Sequence, residues 1–100
     1  MAPKGWRGWP GGKKFALVLT HDVECHEGVK KTVELAHIDM KFGFRSCFNF
    51  VPGSYEPTEN LRRSLVADGF EIGVHGFNHK GNLYVSRRQF VVARGKLTFI

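Results

Sequence analysis

The sequence predicts an α/β fold built from three βα units with parallel strands. Three short apolar segments suited to strands alternate with three segments that carry helix signals. Each link between successive strands is long enough to hold a helix, which parallel pairing requires, and such crossovers are right-handed. The chain has 100 residues, of which 42% are hydrophobic, so it can bury the core of one small domain and no more.

The first unit follows the Gly11-Gly12 break. Residues 15–20 form a continuous apolar run, which predicts a strand buried on both faces at the centre of the sheet. A helix is predicted over about residues 28–41, because Glu27 suits a helix N-terminus and Gly43 suits a helix stop. The apolar residues of this amphipathic helix recur at helical spacing: Val29, Val33, Ala36 and Met40.

The second unit begins with a predicted strand over residues 46–51, which the Pro52-Gly53 pair closes. Thr58 can cap a second helix, since its hydroxyl can accept from a free N–H of the first turn. This helix is predicted to run to about Asp68, and Gly69 suits its end.

The third unit starts with a predicted strand over residues 70–74. After a loop, Ser86 and Gln89 have the spacing of a capping box, in which a serine begins the helix and a glutamine follows three residues later. A third helix is therefore predicted from Ser86 to about Arg94. The element order is β-α-β-α-β-α, with no internal repeat.

Residues 1–14 are predicted to form an arm, and residues 15–100 the packed domain. The arm is rich in Gly and Pro and holds the densest group of cations, with two aromatic residues between them: Lys4, Arg7, Lys13, Lys14, Trp6 and Trp9. One interpretation is a module that binds nucleic acid or an anionic glycan without catalysis. The commoner one is a loosely ordered lead-in whose tryptophans cap a core. The rest of the cations behind the net charge of +6 are spread along the chain, which makes nucleic acid an unfavoured partner.

The sequence contains no segment suited to a membrane. The longest apolar run, residues 15–19, is far shorter than the roughly 18 residues of a membrane span, and residues 1–12 lack the apolar core of a secretory signal. Cys25 and Cys47 form no CxxC pair and lie in different predicted elements, so two reduced thiols are expected. These features favour a cytoplasmic location.

Two segments of high polar density follow the first and third predicted strands: residues 20–24 and residues 75–79. The carboxyl ends of parallel strands meet at one edge of a sheet, where α/β folds build their sites. Asp22 and Glu24 are two residues apart, so both can face one site from an extended strand. His75 and His79 are four apart, which over one turn sets two imidazoles on one side.

Two imidazoles and a carboxylate suit a divalent transition metal such as zinc, with positions left open for water and substrate. The less specific interpretations are a chance surface pair of histidines and an Asp22 that only caps the following turn. A metalloprotease HExxH site is excluded, because Gly76 stands where that motif needs Glu. Packing or solvent contact is expected for His21, Cys25 and His26, which lie near the first motif. His37 is expected to be a solvated or interface residue, and Arg45 a solvated or helix-end residue instead of a substrate clamp.

Residues 19–24, Leu-Thr-His-Asp-Val-Glu, resemble the first motif of the polysaccharide deacetylase family, which is carbohydrate esterase family 4 with the NodB homology domain. Residues 71–79 are similar to its second motif, His-(Ser/Gly)-x-x-His. The stretches at residues 8–14 and 43–52 also look like those of family members, and the resemblance covers about residues 6–86. Paired motifs in this order are more specific than either motif alone.

The resemblance implies a distorted (β/α) barrel, of which this chain supplies about three βα units. It also implies metal-dependent hydrolysis of N-acetyl groups or related non-peptide amide C–N bonds on a carbohydrate or another N-acylated substrate. By the same resemblance His75 and His79 are metal ligands. The usual motif has adjacent aspartates, whereas Val23 here separates Asp22 from Glu24. Asp22 is assigned as the general base and Glu24 as the third ligand, and the reverse assignment stays open.

The family supplies the proton for the leaving amine from a late Leu-x-His motif, and supports the base through an Arg motif and an Asp/Trp motif. None of these later motifs follows His79. A closed barrel needs roughly 200 residues or more. The chain is therefore expected to be an incomplete barrel, and inactive in isolation.

Overall fold

The computed structural model describes residues 2–96, which form one three-stranded sheet and three α-helices. In chain order the elements are β1 (Thr20–Val23), α1 (His26–Lys41), β2 (Cys47–Phe50), α2 (Glu59–Ala67), β3 (Glu71–Val74) and α3 (Arg87–Gly95). A short 3₁₀ turn at Pro10–Gly12 precedes them. No helix within residues 2–96 combines the length and apolar character that a membrane span requires.

The strands are parallel and lie in the order β1-β2-β3. In this register Asp22 pairs with Asn49, and Asn49 pairs with Gly73 on the other side. The α/β class and the parallel pairing of three strands are therefore confirmed. A barrel stays a prediction, since the described strands form a sheet with two edges.

The predicted helices all form, with end points close to those expected. Thr58 Oγ1 accepts a hydrogen bond from the N–H of Leu61 at 3.2 Å, and Ser86 Oγ accepts one from the N–H of Gln89 at 3.1 Å. These bonds satisfy N–H groups that the helix itself leaves free. Gly69 follows α2 with φ of 88°, a conformation that glycine adopts without a steric penalty. Local capping chemistry therefore determines where α2 begins and ends and where α3 begins, whereas α1 starts without a side-chain cap.

The first predicted strand is wrong in position and in burial. Residues 15–20 were expected at the centre of the sheet, whereas β1 covers Thr20–Val23 and lies at an edge. Phe15 and Val18 are 78% and 80% exposed. The ladder begins only where the N–H of Cys47 donates to Leu19 O at 3.0 Å. An apolar run shows that a segment can be extended, but not whether another strand is beside it.

The core lies on one face of the sheet, called the helix face. Phe48 and Phe50 of β2 are fully buried there and pack against side chains from both α1 and α2: Ala36 and Leu65. The alternation of β2 places Cys47 and Asn49 on the opposite face, which we call the polar face. Val33 is exposed on α1, although its spacing matched the apolar stripe. Helices therefore cover one face, and polar residues occupy the other.

A buried polar group lies on the helix face. Asp39 of α1 accepts a hydrogen bond from Ser46 Oγ at 2.7 Å and lies 2.8 Å from His21 Nε2. The ring of His21 also packs beside Phe48, with a 4.9 Å centroid distance. Burial raises the pKa of Asp39, but the Ser46 and His21 hydrogen bonds and the His21 charge outweigh it, so the pKa falls below its ordinary value of 3.8. His21 therefore contributes to packing, as expected.

This group predicts a specific dependence of stability on pH. Because the pKa of Asp39 is lower in the folded chain than in the unfolded chain, its stabilising effect is complete above about pH 3.8 and is lost as the pH falls through the folded value. In urea unfolding, Asp39→Asn should have a lower free energy of unfolding than wild type at neutral pH, and this difference should narrow below pH 3.8. The exposed Asp68→Asn is the control. A difference that stays constant down to pH 2 would contradict this account.

Candidate metal centre

Two strand ends bring the candidate residues together. Glu24 directly follows β1, and His75 directly follows β3. The two strands end level with each other, because Val23 and Val74 both pair with Phe50. The N–H of His75 also donates to Phe50 O at 2.8 Å, which extends the ladder to this residue. The parallel register therefore places a carboxylate and an imidazole at one edge, as the sequence predicted.

His79 reaches the same site through an irregular turn instead of a helical one. Gly76 has φ of 70° and His79 has φ of 55°, in the left-handed region. The β2–α2 loop holds this turn, since the N–H of Gly53 donates to Phe77 O at 2.5 Å and Ser54 Oγ donates to Asn78 O at 3.4 Å. The four-residue spacing thus brings the imidazoles together, with ring centroids 4.9 Å apart, by a backbone path that spacing alone did not predict.

Glu24, His75 and His79 form a possible metal-binding group, with one ligand atom from each within 4.8 Å of the others. Glu24 Oε1 lies 3.2 Å from His79 Nε2 and 3.6 Å from His75 Nε2. Tetrahedral ligand atoms at bond lengths of about 2.0–2.2 Å lie about 3.3–3.6 Å apart, so both distances from Glu24 are close to those in a metal site. All three side chains are partly exposed, which leaves the site open to solvent.

Asp22 lies on the other side of the His75 ring. Its Oδ2 is 3.6 Å from His75 Nδ1, while its Oδ1 accepts a hydrogen bond from Asn49 Nδ2 at 3.0 Å. The two carboxylates thus face different nitrogens of one imidazole. Among the described contacts of Asp22, none caps the following turn. All four residues predicted for the site, Asp22, Glu24, His75 and His79, therefore lie within one cluster.

Sequence reasoning missed two residues that hold the cluster in place. Asn49 contacts Asp22, and the alternation of polar and aromatic residues in β2 could have placed it on the same face. The hydroxyl of Tyr55 donates to Val23 O and accepts from the N–H of Val51 at 2.9 Å, so it ties the residue before Glu24 to the end of β2. Burial, together with the nearby Cys25 and Glu24, raises the pKa of Tyr55 despite the Val51 hydrogen bond. No local signal pointed to Tyr55.

Gly73 leaves the space that Asn49 occupies. A Cβ at Gly73 would overlap the amide oxygen of Asn49 and would lie 3.2 Å from Cys47 Sγ. Cys47 Sγ in turn lies 3.2 Å from Asn49 Oδ1, within range for its S–H to donate. Burial, followed by the negative charges of Glu71 and Asp22, raises the pKa of Cys47, so its thiol keeps the proton that this contact uses.

The remaining candidates lie outside the cluster. Cys25, His26 and His37 are exposed, and both cysteines are free thiols, as expected. Arg45 Nε donates to Asp68 O at 2.5 Å, and its guanidinium lies over the Phe70 ring. Arg45 is therefore a helix-end residue, which agrees with the sequence interpretation.

The arm does not cap the core. Trp6 and Trp9 pack edge to face at 5.1 Å and stay 46% and 41% exposed. The core cluster contains neither of them. The expectation that these tryptophans cover a core is therefore wrong, because in the described structure they pack against each other.

A hollow of about 440 Å³ opens beside the two histidines. Residues of the turn and of the loop before α3 line it, among them Phe77, Leu83 and Tyr84. Tyr84 is stacked on Phe90 of α3, with a 5.4 Å centroid distance. The possible metal-binding group therefore has an apolar and aromatic surface next to it.

Comparisons with protein-family models, with curated protein sequences and with solved structures found no match. The chemistry of this edge must accordingly be inferred from its geometry and from the motifs that occupy it.

Proposed function

We propose that this chain carries the metal-binding and base residues of a hydrolase of the polysaccharide deacetylase type. The reaction would remove N-acetyl groups, or cleave related non-peptide amide C–N bonds, on a carbohydrate. The observation that supports it is the convergence of two imidazoles and one carboxylate at the strand edge, with a second carboxylate beside them. The two motifs that resemble the family are the segments that converge.

Three protein ligands favour a catalytic metal site over a structural one. Structural zinc sites use four protein ligands, whereas catalytic sites use three and keep a position for water or substrate. Two nitrogen ligands and one carboxylate suit zinc, and cobalt can replace it. When bound, such an ion polarises an acyl carbonyl and lowers the pKa of water. Glu24, His75 and His79 are the residues that would hold it.

The geometry favours Asp22 as the base and Glu24 as the ligand. Glu24 Oε1 lies near Nε2 of both histidines, so all three atoms can contact one metal ion. Asp22 Oδ1 accepts from Asn49, while its Oδ2 faces His75 Nδ1 at 3.6 Å and has a second lone pair for a proton. The side chain is 44% exposed, so water can reach it. Asp22 would accept the proton of the attacking water at Oδ2.

The hollow beside the histidines supports a carbohydrate as the substrate class. Its lining by Phe77, Leu83 and Tyr84 offers apolar surface that can lie against the C–H face of a sugar ring. His75 and His79 also line the hollow, so an N-acetyl group on such a ring would lie close to the two imidazoles.

Cobalt substitution tests this function without requiring turnover. The visible spectrum of the cobalt-loaded chain should change when acetohydroxamate is added, because an open coordination position can accept that ligand. N-acetylated chito-oligosaccharides should compete with it, whereas the fully deacetylated oligosaccharides of equal length should not. A cobalt spectrum that responds to none of these ligands would indicate a closed structural site and contradict the proposed function.

A further inference from the structure

A line of side chains crosses the polar face of the sheet and ends at the metal centre. Cys47 contacts Asn49, Asn49 contacts Asp22, and Asp22 faces His75. We infer that Asn49 is a positioning residue, which through Asp22 holds His75 with its proton on Nδ1 and with Nε2 free for the metal. This inference rests on the metal centre proposed above, and it assigns a role to a residue outside the two motifs.

The position of Asn49 is fixed by the sheet. It lies on the central strand, between Asp22 of β1 and Gly73 of β3. The residues on either side of it, Phe48 and Phe50, are fully buried on the opposite face. Gly73 leaves room for its amide, which a side chain at that position would displace. The backbone that carries Asn49 is therefore held by a strand on each side and by two buried aromatic neighbours.

The orientation of the Asn49 amide follows from its two partners. The Cys47 thiol, which keeps its proton, can donate to Oδ1, so that end of the amide acts as the acceptor. Nδ2 is then directed to Asp22 Oδ1 at 3.0 Å. An ionised carboxylate can only accept, and an amide NH₂ can only donate, so the match is unambiguous. This bond occupies Oδ1, and Oδ2 faces His75 Nδ1 at 3.6 Å.

The tautomer of His75 follows from the positions of Asp22 and Glu24. A neutral imidazole carries one proton, on either Nδ1 or Nε2. A carboxylate oxygen lies 3.6 Å from each nitrogen, Asp22 Oδ2 from Nδ1 and Glu24 Oε1 from Nε2. His79 Nε2 also lies near Glu24 Oε1, so a metal held there would take the lone pair of His75 Nε2 and leave the proton on Nδ1, facing Asp22. Nε2 then presents its lone pair on the side where Glu24 Oε1 lies. Metal-ligating histidines commonly have such a carboxylate at the second ring nitrogen, and its loss weakens metal binding by about 10–100-fold.

Zinc affinity of the full chain, measured by competition with a chromophoric chelator, tests the inference. Asn49→Ala should weaken zinc binding by up to about 10-fold, the lower end of the range for losing the carboxylate itself, since it frees Asp22 without removing it. Asn60→Ala is the matched control, because it removes an exposed amide from α2. Asn60→Ala should bind zinc as wild type does. Equal affinities of Asn49→Ala and wild type would overturn the inference while leaving the metal centre in place.

A measurement on the wild-type chain keeps the test independent of the stability of the variant. Nitrogen-15 spectra of the histidine rings with zinc bound should show His75 protonated at Nδ1 and coordinated through Nε2. Coordination through Nδ1 would overturn the inference even if Asn49→Ala failed to fold. A wild-type chain that binds no zinc would overturn the metal centre itself, and the inference with it.

Discussion

The chain should bind zinc or cobalt near stoichiometrically, and replacing both His75 and His79 by alanine should abolish that binding. The two imidazoles supply both nitrogen ligands of the group, and the exposed carboxylates of Glu24 and Asp22 would be left. Imidazole suits zinc, whereas carboxylate oxygens without it suit ions such as Mg²⁺ and Ca²⁺, so the expected effect is loss of near-stoichiometric binding. Metal content after equilibration and gel filtration, measured by atomic emission, would show it.

The chain offers a matched control for this experiment. His26 and His37 are both exposed on α1 and lie outside the cluster, so their double alanine variant removes the same number of imidazoles. This control should keep the metal content of wild type. Metal content that is unchanged in the variant lacking His75 and His79 would exclude the proposed centre.

Phe48→Ala should destabilise the chain by about 3–5 kcal/mol. Phe48 is 0% exposed, and its ring packs against the rings of Phe70 and His21, with centroid distances of 5.5 Å and 4.9 Å. Truncation would leave a cavity on the helix face of the central strand. Since domains have a free energy of unfolding of only about 5–15 kcal/mol, this substitution would remove much of it. The midpoint and slope of urea unfolding, followed by far-UV circular dichroism, measure the change.

Phe15→Ala distinguishes the observed fold from the fold that the sequence predicted. If Phe15 were buried in a central strand, its truncation would lower the free energy of unfolding as much as that of Phe48. The observed Phe15 is 78% exposed. The expected change is within about 0.5 kcal/mol, as for most surface substitutions. A loss of several kcal/mol from Phe15→Ala would show that residues 15–19 pack in solution as a strand.

The helices could be predicted because their signals are local. Thr58 and Ser86 accept hydrogen bonds from N–H groups three residues away, and Gly69 follows α2 with positive φ. Such interactions require no neighbour from elsewhere in the chain. The strands were located less well, since a strand exists only where another strand pairs with it. Residues 15–19 are as apolar as any strand, yet the ladder extends from Thr20 to Val23.

The sequence also determined some features of the candidate site, and the tertiary structure decided the others. The sequence by itself determined the residue types, their order and, through parallel pairing, that Glu24 and His75 meet at one edge. Only the tertiary structure decided how the residues face one another. It set Glu24 against Nε2 and Asp22 against Nδ1 of His75, and it brought His79 back through a turn held by the β2–α2 loop.

Asn49 shows the physical reason for this division. Its amide donates a hydrogen bond to Asp22, which lies 27 residues earlier in the sequence. This contact forms because the register of β1 and β2 pairs the two residues and because Gly73 leaves space on the other side. No window of neighbouring residues contains that contact. Composition and spacing determine which groups a chain can offer, whereas strand register and packing determine which atoms come within reach of one another.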